Sequence, residues 1–184
     1  MSQRLPVSAI TTATLANRPL FFDANILLYL FGLNVVSNNQ KWAVNAYSRL
    51  FGLCLKNGKT LCVDVFVLSE FINRYLRMEY DNYKQSTGNK IDFKPFRNSP
   101  AGIQASQDVD IIVKNKILKV FDVVGKTFDK ADILAISLDK TDFNDALLVG
   151  VCQEHNCIFV TNDADFANSP IDIISANNRL VPPI

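Results

Sequence analysis

A helix-to-strand segment, Asp142–Phe166, constrains the fold of this chain more than any other stretch. It reads DFNDALLVGVCQEHNCIFVTNDADF. The apolar block Ala146–Cys152 predicts a buried helix, and Cys157–Thr161 predicts a buried strand. Acidic residues stand at the helix start and again, as Asp163 and Asp165, just after the strand. Such acids should meet at one edge of a sheet, where clustered carboxylates suit a hard divalent cation.

The remaining sequence alternates short apolar runs with helical patterns. Strands are predicted at Leu20–Phe22, Thr60–Val65 and Ile171–Ser175, and this order indicates an α/β fold with a mainly parallel sheet covered by helices on both faces. Helices are predicted at residues 26–32, at 41–56 with Asn38 or Asn39 as the cap, at 67–79, at 106–124 and at 130–138, with a long loop or insertion at 80–100 because Gly88, Pro95 and Pro100 interrupt the pattern.

We expect a loosely packed arm at residues 1–19, one domain at 20–176 and an extended tail at 177–184. The stripe Trp42, Ala46, Leu50, Leu53 is predicted to be the buried face of the second helix, with Trp42 in the core.

Composition excludes several classes of protein. The 184 residues are 48% hydrophobic and carry a formal net charge of +1, so a folded domain without a global positive field is expected. The four cysteines form no CxxC pair and have apolar neighbours, which favours buried free thiols in a reducing compartment. No apolar run is long enough to span a membrane. We therefore expect a cytoplasmic protein that does not enter membranes.

Four acids are placed to share one site. Asp23 and Asp163 each follow a predicted strand, whereas Glu70 and Asp145 lie early in helices next to strands. The carboxyl ends of strands form the ligand-binding edge of open α/β sheets. Carboxylates converging there would repel one another unless a cation intervened. Oxygen ligands favour Mg²⁺ or Mn²⁺, which could support hydrolysis of a phosphodiester.

Three segments resemble, in order, the motif regions of the PIN domain family, with the small stand-alone VapC-type toxins as the best match. They are FFDANILLYL, VLSEFINRYL and the opening segment with its Thr-x-Asp-x-x-Phe strand end. The resemblance covers roughly Leu20 to Ser175 and implies a three-layer α/β/α fold and a metal-dependent ribonuclease. It places the four family acids on Asp23, Glu70, Asp145 and Asp163, and supporting polar groups on Asn25 and Thr161.

Two features depart from the toxins: the helix after Asp145 reads ALLVGVC, and residues 80–100 form a longer segment. For toxins the family also implies a homodimer and an inhibiting antitoxin partner.

Purely structural roles for the acids remain open. Asp145 stands three residues after Asp142, a spacing that also suits a capping box. Glu70 could serve only the helix dipole, and Asp165 could start a local helical turn beside the site. Asp64 is interpreted as a strand-end residue, and His155 is assigned to a helix C-terminus.

A segment that interleaves cations with aromatic residues is a candidate RNA-binding surface, since such surfaces combine phosphate contacts with base stacking. A solvated loop or a partner-binding arm explains it equally well. Its candidate contact residues are Arg74, Arg77, Tyr83, Lys84, Lys94 and Arg97.

The sequence thus predicts a Mg²⁺- or Mn²⁺-dependent endoribonuclease acting on RNA. The alternative is a non-catalytic PIN-like module that binds RNA or a protein. A phosphotransferase resembling the haloacid dehalogenase family is disfavoured, because Asn25 stands where that family needs a second aspartate.

Overall fold

Short runs of consecutive buried residues form the middle of a parallel sheet. Strands covered on both faces are apolar at every position, as Leu20–Phe22 and Ile158–Val160 are. The computed structural model of the protein describes residues 2–12, 17–32 and 40–181. The expected capping residues Asn38 and Asn39, and Pro182 and Pro183 of the tail, lie outside them.

Strands and helices alternate along the described residues, and four of the six strands coincide with predicted ones. The strands are β1 (Arg4–Pro6), β2 (Leu20–Phe22), β3 (Leu61–Val63), β4 (Asp122–Val123), β5 (Ile158–Val160) and β6 (Ile173–Ser175). The helices are α1 (Ala24–Phe31), α2 (Lys41–Lys56), α3 (Val65–Thr87), α4 (Phe93–Arg97), α5 (Pro100–Asn115), α6 (Lys130–Leu134) and α7 (Phe143–Glu154).

The strand order is β1-β6-β5-β2-β3-β4, and every neighbouring pair in the described residues is parallel. Helices flank the sheet, with α1 packed against α2 and α3, and α5 against α3. The predicted α/β/α sandwich is confirmed. Register places Phe22 beside Val160, so the residues that follow, Asp23 and Thr161, emerge together at the carboxyl edge.

The described residues near both ends of the sequence pack more closely than expected. β1 pairs with β6, and Val7 and Ile10 are buried, so the expectation of a loosely packed arm is wrong for residues 4–10. Residues 178–180 form a turn, and Leu180 and Val181 are buried against the domain. The described part of the tail therefore belongs to the domain.

The segment at residues 80–100 is mostly helical, so the predicted loop is wrong. α3 runs on to Thr87 and ends at Gly88, whose φ of 67° is the left-handed conformation that favours glycine. Pro100 starts α5 at its first turn, where a proline loses no hydrogen bond, and Ser99 caps the helix. Helix α5 ends at Asn115, nine residues earlier than predicted, and is followed by a 3₁₀ turn and the edge strand β4.

Helix α2 buries a face about one residue along from the predicted one, with Leu50 common to both. The buried positions are Ala43, Tyr47, Leu50 and Cys54, and Trp42 is 52% exposed. Apolar residues occur on more than one side of this helix, so two apolar stripes one residue apart could each be predicted as the buried face. The prediction that Trp42 lies in the core is therefore wrong.

Candidate active site

Asp23 is the best-buried acid of the predicted site. It follows β2 and caps α1, where its Oδ1 accepts a hydrogen bond from the backbone N–H of Ala24 (2.6 Å). Its Oδ2 accepts hydrogen bonds from the Thr161 hydroxyl (2.6 Å) and from the Asn25 amide. Only 5% of its surface is exposed. Neutral donors alone therefore hold this carboxylate in place.

Thr161 and Asn25 tie three segments to that carboxylate. The Thr161 oxygen also accepts a hydrogen bond from the backbone N–H of Asp163 (3.0 Å), and Asn25 Oδ1 accepts one from that of Asn162 (3.3 Å). Both side chains are buried. The strand end after β5 is thus fixed relative to β2, as expected if these residues support a site.

Burial and neighbouring acids leave two of the carboxylates electrostatically strained. Burial raises the pKa of Asp23 to about 7, against the hydrogen bonds from Thr161 and Ala24, and the charges of Glu70 and Asp163 raise it further. The pKa of Asp145 rises to about 6, first through burial and then through Asp142, Asp163, Asp165 and Glu70. No cation opposes either shift among the described residues.

Asp145 is half-buried, as the third residue of α7. Its neighbour Asp142 caps the helix by accepting a hydrogen bond from the backbone N–H of Asn144 (2.8 Å). The cap is therefore made to Asn144, and Asp145 lies beside it and does not complete a capping box. Asp145 is therefore not needed for the cap, and its carboxylate lies near those of Asp163 and Glu70 at the carboxyl edge of the sheet.

Glu70 and Asp163 approach the site from its exposed side. Glu70 Oε1 accepts a hydrogen bond from Arg74 Nη1 (3.1 Å), one turn along α3. Asp163 caps the short 3₁₀ turn Ala164–Asn168 by accepting from the backbone N–H of Asp165 (3.1 Å). The local-turn interpretation fits Asp165, while Glu70 is held by a cation on its own helix.

The donor set suits a divalent cation, because the buried Asp23 and the half-buried Asp145 lie near other carboxylates and neither forms an ion pair with a described residue. As the side chains stand, however, no three His, Cys, Asp or Glu groups within the described ranges are gathered closely enough to hold one ion.

Two neighbouring clefts open at this edge of the sheet. The first, the acidic cleft, has a volume of about 340 Å³, and its charged lining residues are Asp163, Asp165, Arg74 and Arg179. The second, about 620 Å³, is lined by Trp42, Asn162, Ala176, Asn177, Asn178 and Arg179. Because Asn162, Asn177 and Arg179 line both, the clefts are contiguous.

This geometry agrees with the match to a protein family. The PIN domain family model matches residues 20–171. The chain belongs to the PIN domain family. Its four predicted acids all lie at the carboxyl edge of the PIN domain sheet, although their side chains are not drawn into one tight group.

The solved structures that match the chain are distant in sequence. VapBC2 from Rickettsia felis, in a structure bound to a DNA fragment from their promoter, is 18% identical with a TM-score of 0.48, and the match covers 85% of this chain and 98% of that one. PAE2754 from Pyrobaculum aerophilum is 17% identical with a TM-score of 0.49, covering 94% and 96%. A search of curated proteins found no match.

A polar network behind the PIN domain site was not visible in the sequence. The buried Tyr47 hydroxyl donates to Asn162 Oδ1 (2.8 Å) and accepts from the backbone N–H of Ala176 (2.9 Å). The Asn177 amide donates to the carbonyl of Asn162 (2.8 Å). These contacts join α2 to the ends of β5 and β6, and no spacing rule links residues so far apart.

In the candidate RNA-binding segment of the PIN domain, the aromatic rings pack against side chains of the same segment. The Arg77 guanidinium lies 3.8 Å from the Phe93 ring centre, and Lys84 lies 4.1 Å from that of Tyr80. Tyr83 packs on Phe96, which is buried. These rings are largely occupied by their neighbours. The exposed cations Lys94 and Arg97 remain candidates for phosphate contacts, and Arg74 lies at the acidic cleft instead.

Other predicted residues fall as follows. Asp64 caps α3 by accepting from the backbone N–H of Val67 (2.8 Å), which leaves its Oδ2 buried without a partner. His155 ends α7 and its Nε2 contacts the Gly125 carbonyl (2.7 Å). The four cysteines are buried and free, as predicted. None of the described helices is both long enough and apolar enough to cross a membrane.

Proposed function

We propose that this PIN domain is a metal-dependent endoribonuclease that hydrolyses RNA phosphodiester bonds at the acidic edge of its sheet. The observation that carries the proposal is Asp23: a carboxylate with 5% exposure, held by neutral donors, whose pKa burial raises to about 7. A buried charge without an opposite charge beside it is costly unless a ligand compensates it. The family is one of nucleases, and this is where its metal-binding acids are expected.

In this proposal Asp23, Asp145 and Asp163 are the principal ligands of Mg²⁺ or Mn²⁺. A bound ion would activate a water molecule and neutralise charge on the phosphate. Thr161 and Asn25 both donate hydrogen bonds to Oδ2 of Asp23 and so hold its carboxylate in one position. Glu70 would complete the ligand set or hold the attacking water after releasing Arg74. The freed guanidinium could then contact a phosphate oxygen.

The test is cleavage of a labelled RNA by purified full-length protein. Asp23→Asn should abolish cleavage while preserving the fold measured by circular dichroism. Asp110→Asn, an exposed acid paired with Lys114 on α5, is the matched control and should cleave like the wild type. EDTA should stop the wild-type reaction, and added Mn²⁺ should restore it. Normal cleavage by Asp23→Asn would contradict the site.

One observation favours a second candidate, a non-catalytic module that binds RNA or a protein. Within the described residues no three ligating side chains are gathered for an ion. Binding of RNA without any turnover in Mg²⁺ or Mn²⁺ would identify this alternative.

The toxin role is a further part of the proposal. A cognate antitoxin and a homodimer would accompany it, and the buried free thiols suit a cytoplasmic setting. Co-purification with the product of a short adjacent gene that encodes a DNA-binding protein would support the role. Expression without that product should arrest growth, and an Asp23→Asn variant should not.

A further inference from the structure

The second cleft has the chemical character of a nucleotide subsite. It is lined by the exposed indole of Trp42, by Arg179 and by the amide-bearing residues Asn177 and Asn178. An indole presents a flat face to a base, a guanidinium pairs with phosphate, and amides recognise base edges. No element of the protein that the structure describes covers the indole, which is 52% exposed.

Arg179 is available for a ligand. Its backbone N–H donates to Asn177 Oδ1 (3.0 Å), which fixes the turn that presents the side chain. Its guanidinium makes no ion pair or hydrogen bond with any residue in the described ranges. Arg74, the other arginine of the acidic cleft, is by contrast paired with Glu70.

The subsite is held rigidly to the acidic edge. Asn162 lies between the site residues Thr161 and Asp163, and its carbonyl accepts from Asn177. Tyr47, on the same helix as Trp42, donates to Asn162. A chain bound along both clefts would therefore have fixed positions for its phosphate and its neighbouring base.

We propose that Trp42 and Arg179 form a subsite for one unpaired nucleotide next to the bond that is cleaved, with its base stacked on the indole and its phosphate on the guanidinium. A base inside a duplex is stacked between its neighbours, so the nucleotide at this position must be unpaired for its base to stack on the indole. This inference rests on the proposed function, because it assumes that RNA reaches the acidic cleft.

Trp42 is the only tryptophan in the chain, so its fluorescence reports on this cleft alone. Titration of the wild-type protein in EDTA with a short oligouridylate should quench the emission in step with binding measured by anisotropy of the labelled RNA. The same sequence in a duplex should bind more weakly and leave the emission unchanged.

Variants separate the two parts of the subsite. Trp42→Ala should weaken single-strand binding about tenfold, the size expected for one base stack, and Trp42→Phe should keep most of the affinity. Arg179→Gln should weaken binding and lower the salt dependence by about one phosphate contact. Lys119→Gln, the same charge change at an exposed lysine outside both clefts, should bind like the wild type. Thermal unfolding confirms that each variant is folded.

Two results would contradict the subsite: Trp42→Ala that binds RNA within twofold of the wild type, or RNA binding that does not quench the tryptophan emission. Cleavage assayed separately in Mn²⁺ distinguishes this from failure of the proposed function. Normal cleavage by Trp42→Ala would support the nuclease and contradict the subsite. Quenching with tighter binding of the single strand, but no cleavage, would support the subsite and contradict the nuclease.

Discussion

The hydroxyl of Thr161 donates a hydrogen bond to Oδ2 of Asp23 at 2.6 Å, across 138 residues of sequence. The bond is made because β2 and β5 are parallel neighbours in the sheet and end at the same level. It is one of the contacts that lower the pKa of Asp23, against the larger effect of burial. The position and charge of the deepest acid therefore depend on a residue from the far end of the domain.

Replacing Thr161 should weaken the site without removing an acid. Thr161→Val keeps the shape but loses the donor to Asp23 and the acceptor for the backbone N–H of Asp163. We expect a stability loss of about 1–3 kcal/mol, because buried polar groups lose partners, and a cleavage rate about 10–100-fold lower. Thr161→Ser, which keeps the hydroxyl, should lie close to the wild type. Chemical denaturation and RNA cleavage give the two readouts.

Without metal, stability should fall as pH rises from about 4 to about 7. The pKa of Asp23 is raised to about 7 in the folded protein, against about 3.9 when unfolded. In that window the folded state binds more protons than the unfolded state, so each step up in pH favours unfolding. The decrease should reach a few kcal/mol at most.

Asp23→Asn cannot lose that proton, so its stability advantage over the wild type should grow across the same window. Urea unfolding in EDTA at several pH values measures the effect. Parallel stability curves for the two proteins would contradict it.

Divalent cations should stabilise the folded protein at neutral pH. An ion that binds only the folded state adds about 2.7 kcal/mol at one hundred times its dissociation constant, and here it would also relieve the repulsion among Asp23, Glu70 and Asp163. Differential scanning fluorimetry with Mn²⁺ should show a rise in melting temperature for the wild type. Asp23→Asn should show a much smaller rise, and equal rises would argue against Asp23 as a ligand.

Gly102 is required by packing and not by backbone conformation. A Cβ at this position would lie 2.1 Å from the Phe96 carbonyl oxygen and 2.7 Å from Arg97 Cα, both backbone atoms that cannot move independently. Gly102→Ala should therefore destabilise the protein by about 1–3 kcal/mol.

Gly52, in the middle of α2, is the matched control because a Cβ there meets nothing within 4 Å. Gly52→Ala should stabilise the protein by up to about 1 kcal/mol through helix propensity. Urea unfolding should show that the two substitutions change the free energy of unfolding in opposite directions. No change for Gly102→Ala would show that α4 can shift away from α5.

Local patterns were sufficient for the elements that carry the acids. A buried strand followed directly by Asp23, and an apolar helix feeding a buried strand before Asp163, both occur as predicted. The strands β2 and β5 are buried at every position, so each is apolar throughout and its end is marked by the first polar residue. The edge elements were harder: β1 and the exposed β4 are too short and too mixed to show a period.

The alternation of strands and helices along the chain was enough to predict a mainly parallel sheet, and with it the edge at which Asp23 and Asp163 lie, because each follows a strand directly or closely. The surroundings of these acids depend on tertiary contacts. Tyr47 is buried and Trp42 is exposed on α2. This orientation of the helix lets the Tyr47 hydroxyl bond to Asn162 and Ala176, which follow β5 and β6. The tertiary structure also places Arg179 beside the acidic cleft. Such contacts join residues distant in sequence, so no local pattern carries them.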